Sequence, residues 1–172
     1  MEENTEQKKD QRGFLVKRVG GYLHRVVPIM DASGKVLSYA LKPLMVEFKP
    51  RDLFQVIVGS SILAIPVAFT EETWDLGEKL PLNNILSLAG LSLLFIACFV
   101  FFNFYRFNFK EHWFEYIKRV IATYGVSFLV VGALLTIIQK CPWGTDNILA
   151  IKRIIIVAFP ASMSATISDV LR

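Results

Sequence analysis

Histidine and cysteine are scarce in this chain, with two of each in 172 residues. His24, His112, Cys98 and Cys141 provide no metal-ligand spacing, and no Walker loop or nucleophile elbow is present. Ser, Thr and Asp occur in the apolar stretches without a histidine to activate them, which argues against an intramembrane hydrolase. We therefore expect no enzymatic activity, no cofactor and no bound metal. Glu111, His112 and Glu115 are read as solvated interfacial side chains. The cysteines sit at different depths, Cys98 in mid-span and Cys141 near an interface, so both are expected to be free thiols. The polar N-terminus lacks the apolar core of a secretory signal, and the first span is expected to act as its own insertion signal. A net charge of only +4, with basic residues where topology requires them, makes nucleic acid a poor partner.

Charge is also missing from long tracts, and apolar residues fill them. They make up 53% of the chain, and the mean hydropathy is +0.46. Charges concentrate in the first fifty residues and in short segments between apolar runs, a segregation foreign to a water-soluble core. Crossing a hydrocarbon layer of about 30 Å takes roughly 17 to 25 helical residues. Four runs qualify, at about 53–74, 85–105, 120–139 and 154–171, and the second and third carry no charge. They lack the alternation of a transmembrane β-barrel. The expected fold is an all-α membrane protein of four transmembrane helices (51–172), preceded by a small cytoplasmic segment with some β-structure (13–50) and a disordered tail (1–12).

The basic residues orient the spans. Lys35, Lys42, Lys49 and Arg51 precede span one, and Arg106, Lys110, Lys118 and Arg119 separate spans two and three. The loop from Thr70 to Asn84 has Lys79 against four acids. The positive-inside rule then puts both termini in the cytoplasm, consistent with a bacterial cytoplasmic (inner) membrane. Lys140, Lys152 and Arg153, in the loop before span four, run against this rule. In the N-terminal segment, 25–30 and 36–40 read as strands around a hairpin loop at 31–35, with a further short strand at 44–48. Fewer than forty residues make a weak independent core, so this head is expected to pack on the helices or on copies of itself, as a collar or a regulatory module.

Two spans carry small-residue faces. Ser60, Ala64, Ala68 and Glu72 recur every four residues, with Pro66 nearby, and in span four Ala158, Ala161, Ser162, Ser164, Ala165, Ser168 and Asp169 share a broad face. Such faces pack helices closely or line a water path. Glu71, Glu72 and Asp75 form an acidic mouth at the outer end of span one, and Arg153, at the edge of the span-four face, is the expected ion-pair partner of Glu71 or Glu72. The aromatic and basic residues of 107–119 suit a helix lying at an anionic leaflet.

The stretch Phe69-Thr70-Glu71-Glu72-Thr73-Trp74-Asp75-Leu76-Gly77 resembles the selectivity filter of bacterial voltage-gated sodium channels and their calcium-selective derivatives, where a Thr, a Glu and a Trp recur at like spacing. The resemblance implies a pore-mouth role for Glu72. The last 120 residues also resemble bacterial integral membrane proteins of unassigned function, through the Pro-containing first span ending in an acidic-Trp motif and the closing Pro160-Ala161-Ser162. That resemblance implies a fold and no activity. The expectation is a homo-oligomeric cation channel in the lipid bilayer, with Glu72, Glu71, Asp75 and Thr70 at its outer mouth, Asp169 as an inner ring, and Ser60, Ala64, Ala68, Ser162 and Ala165 between them. The alternative is a noncatalytic structural or regulatory membrane protein whose acids clamp helices. A small transporter is less favoured, since the four runs show no ionisable group at mid-depth.

Overall fold

The computed structural model describes residues 8–9, 15–19, 22–31, 36–43, 48, 50–106 and 109–171. Four strands, β1 (Lys8–Lys9), β2 (Leu15–Val19), β3 (Tyr22–Met30) and β4 (Val36–Pro43), form an antiparallel sheet in sequential order. β3 and β4 flank the expected hairpin loop, while β1 and β2 are additions to the sequence reading. Lys8 and Lys9, within the stretch expected to be disordered, pair with Val16 and Leu15. Pro28 has no N–H to give a ladder, and it lies beyond the reach of β2, which pairs with β3 only as far as Val26. The expected strand at 44–48 falls on residues outside those described, apart from Phe48.

Among the described residues five α-helices follow: α1 (Pro50–Ala68), α2 (Glu71–Lys79), α3 (Leu82–Val100), α4 (Phe109–Ile137) and α5 (Asn147–Val170). A π-helical turn, Phe101–Tyr105, prolongs α3. Four of these elements are long and apolar enough to cross a membrane, at Pro50–Ala68, Leu82–Tyr105, His112–Ile137 and Asn147–Val170. These are the four candidate membrane spans among the described residues. The short segment expected at an anionic leaflet runs straight into span three, with a break at His112 (φ −129°, ψ 27°) where the helix changes direction.

The first span ends six residues earlier than its apolar composition suggests. After Ala68 the chain turns at Thr70, in extended conformation (φ −91°, ψ 134°), and starts α2, a separate helix of nine residues. Trp74 folds back so that its indole N–H donates to the Ala68 carbonyl at 2.9 Å. The helical register relating Ser60, Ala64 and Ala68 to Glu72 is broken there. The first three are fully buried, and Glu72 is exposed.

α5 forms the centre of the bundle, with half of its span enclosed by protein. Its small face, Ala158, Ala161, Ser162 and Ala165, is completely buried and meets the small face of α1. Gly59 permits that approach, because a Cβ there would stand 2.9 Å from the Ala165 Cα and would clash with the Ser168 Cβ. The core is apolar at one end, where Ala64, Ala68, Val131, Leu135, Ala150, Ile154 and Val157 cluster. Toward the other end it is hydroxylated: Ser92 and Ser162 share a 2.7 Å hydrogen bond, and Ser60, Ser127 and Thr166 each donate to a carbonyl in their own helix. Such internal pairing is what a buried polar group needs where water cannot reach it.

Candidate functional site: a buried charge lock and a surface strap

Three spans bring their terminal charges to one place. Asp52 lies in the first turn of α1, Asp169 in the last turn of α5, and Arg119 in α4, and all three are at most 1% exposed. Arg119 holds Asp169 by two bonds, Nε to Oδ2 at 2.8 Å and Nη2 to Oδ1 at 3.0 Å. The same Nη2 reaches the Asp52 Oδ2 at 3.4 Å. The fork of a guanidinium matches a carboxylate in this way, and a lysine could not reproduce both bonds. Asp52 is favoured by the positive end of the α1 dipole, whereas Asp169 faces the negative end of α5 and depends on Arg119.

Aromatic rings complete the enclosure. The Arg119 Cζ lies 3.8 Å from the centroid of the Phe104 ring and 5.6 Å from that of Phe48. Phe104, half-buried, belongs to the π-helical turn, in which Tyr105 is fully buried. Tyr116 packs edge-on against Tyr105 with centroids 5.4 Å apart, and its hydroxyl donates to the Ala97 carbonyl. All four spans therefore contribute to this lock, and Phe48 joins it from the segment connecting β4 to α1.

At the opposite end α2 is strapped across the bundle. Thr73 and Gly77 are buried, and a Cβ on Gly77 would stand 2.6 Å from the Arg153 Cγ. Arg153 bonds Glu78 Oε1 at 2.6 Å through Nη2 and the Lys140 carbonyl at 2.8 Å through Nη1. The Lys140 ammonium lies 3.6 Å from the centroid of the Trp74 ring. These contacts occupy both basic side chains, Lys140 and Arg153, at this end of the bundle. Asp75 pairs with Lys79 at 2.8 Å, and that carboxylate raises the pKa of the exposed ammonium. Burial pushes the Cys141 thiol up, opposed by a hydrogen bond from Thr136 and by the Arg153 charge.

The expected site residues are thus divided between places. Arg153 is in an ion pair, but its partner is Glu78, because the chain restarts as α2 and carries its third turn, not its first, onto α5. Glu71 and Glu72 lie exposed in the first turn of α2, with Thr70 as its N-cap and Asp75 one turn on. Ser60, Ala64, Ala68, Ser162 and Ala165 are completely buried in the contact between α1 and α5, so in a single protomer they serve as packing surface. Asp169 is enclosed with Arg119 instead of facing a lumen. The lock itself eluded sequence reasoning, which named Arg119 only as a flanking basic residue and did not single out Asp52. The available signal was that each stands near the end of an apolar run, as Asp169 does.

No curated protein and no solved structure matches this chain. A family profile does match, over residues 34–170, and takes in all four spans and the members of both charge clusters. The chain accordingly belongs to the family described as "Putative integral membrane protein (DUF2391)".

Proposed function

We propose that the protein is a noncatalytic structural or regulatory membrane protein, in which the Asp52–Arg119–Asp169 lock and the Glu78–Arg153 strap hold the spans as a platform for the N-terminal sheet. The observation that carries this reading is the complete burial of Arg119 between carboxylates of two other spans. Removing one partner of such a pair leaves an uncompensated buried charge. Arg51, Arg106 and Lys118 stand near the lock end of the spans, and by the positive-inside rule this supports a cytoplasmic placement of that end in a bacterial inner membrane. The test is a charge swap. Arg119→Asp and Asp169→Arg should each abolish a stable, monodisperse protein, and the double exchange should recover it in part; an intact Arg119→Asp protein would overturn the reading.

A second reading, the homo-oligomeric cation channel, draws support from one feature. Glu71 and Glu72 are exposed and make no ion pair among the described residues, so subunits around an axis could present them as an outer ring. Cation flux in proteoliposomes that Glu72→Gln reduces would replace the first reading with this one. A transporter gains little, since Asp52 and Asp169 stand within a turn of their helix ends rather than at mid-membrane depth.

A further inference from the structure

A groove of about 320 Å³ runs along the outside of the lock end, lined by Arg51, Phe54, Gln55, Val58, Ser168 and Leu171. On α1, Arg51, Phe54, Gln55 and Val58 follow one another at helical spacing and form one stripe; Ser168 and Leu171 supply the facing edge at the end of α5. Gln55 bridges the two edges, its Nε2 donating to the Leu171 carbonyl at 3.1 Å. The close approach at Gly59 closes the groove on the side toward the membrane centre.

Chemistry changes along its length. Arg51, at the start of the span, is exposed and makes no ion pair among the described residues. The neighbouring Asp52 is turned inward onto Arg119, so among the described residues the charge facing the groove is positive. From Arg51 to Val58 is seven residues, about 10 Å of helix. Over that distance the lining passes from a guanidinium to the exposed side chains of Phe54 and Val58, with Leu171 opposite. A cation at the edge of the hydrocarbon layer, continuous with an apolar channel running into it, has the polarity of a phospholipid: phosphate outermost and acyl chain inward.

From this we infer that the groove between α1 and the end of α5 binds one anionic phospholipid, its phosphate on Arg51 and the upper part of an acyl chain along Phe54, Val58 and Leu171. A guanidinium pairs with a phosphate in fork geometry. A net anionic headgroup is preferred to a zwitterionic one, whose own ammonium competes with Arg51. The site is independent of whether the protein is a scaffold or a channel.

Native mass spectrometry of the detergent-solubilised protein, titrated with phosphatidylglycerol or phosphatidylcholine, tests the assignment. One phosphatidylglycerol should be retained per protomer, with phosphatidylcholine held more weakly. Arg51→Gln should lower phosphatidylglycerol affinity about fivefold, the effect of one basic residue near an anionic lipid, and Val58→Trp should lower it by filling the channel. Lys118→Gln, at the same end but outside the groove, should leave it unchanged. Equal retention of both lipids, or retention unaffected by Arg51→Gln and Val58→Trp in protein that elutes as wild type does, overturns the proposal. Displacement of the lipid by millimolar inorganic phosphate alone would also overturn it, since the groove would then read a free anion and not a lipid.

Discussion

Replacing Arg119 with Met keeps much of the side-chain length and removes the only described cation between Asp52 and Asp169. Breaking a buried ion pair by deleting one partner costs about 3–5 kcal/mol. The loss includes a charge-assisted bidentate contact to Asp169, the long contact to Asp52, and the stacking on Phe104. These terms share one side chain and do not add independently. For a domain of this size each kcal/mol moves the melting temperature by about 2–4 °C, so a fall of roughly 6–20 °C is expected. The geometry also ranks the variants. Asp169→Asn should cost more than Asp52→Asn, because Asp169 accepts the two short bonds and opposes its helix dipole, whereas Asp52 accepts the 3.4 Å bond at a favourable helix end. Replacing all three by apolar residues, Asp52→Leu, Arg119→Met and Asp169→Leu together, should recover much of the loss, since none of these three charges then remains buried. The assay is thermal unfolding followed by a thiol-reactive dye in a Cys98→Ser background, which leaves buried Cys141 as the reporter. Arg119→Met melting within about 2 °C of wild type, or a triple variant less stable than Arg119→Met, would refute the reasoning.

Two glycines should separate packing from propensity: Gly59→Val forces α1 from α5 and should cost about 1–3 kcal/mol, whereas Gly90→Ala, with open space around it, should be neutral or stabilising in the same melting assay. Gly77→Ala meets the Arg153 Cγ and should lift α2, read as faster proteolysis within 71–79; Glu78→Gln should act in the same direction more weakly, because Glu78 is largely exposed. Cys141 should react slowly with a water-soluble maleimide at neutral pH and faster as pH rises, with its midpoint above the ordinary thiol value of 9.0, because burial raises the pKa and the thiolate is the reacting form. Trp74→Ala, which uncovers the Lys140 side of the strap, should speed that reaction at constant pH.

The small faces of α1 and α5 were legible because helical periodicity places Ser60, Ala64 and Ala68 in one row and Ala158, Ala161, Ser162 and Ala165 in another. Their mutual burial follows from the same absence of bulk that first allowed a water path as an alternative. Glu72 was misleading for a local reason. Thr73 and Trp74 continue a sequence with helical spacing, yet the chain breaks between Ala68 and Glu71, and Trp74 hydrogen-bonds back across the break. Periodicity cannot register a turn when residues on both sides are compatible with helix. Arg153 was expected to pair with Glu71 or Glu72, and its pairing with Glu78 instead depends on the position of α2 on α5.

Hydrophobic length and charge segregation by themselves determined four spans, because an uncharged stretch of about twenty residues has no other economical place than a bilayer. They also determined that the end of α5 turns its acid away from lipid. Only the tertiary structure decided what that acid meets. Asp52, Arg119 and Asp169 are separated by 50 residues or more along the chain, and each alone looks like an ordinary charge at the border of a span. Their burial arises from the packing of α1, α4 and α5 and from the rings of Phe48 and Phe104 closing over the guanidinium. One-dimensional patterns report how far a charge lies from an apolar run, whereas the environment that makes it a lock is assembled from three other segments.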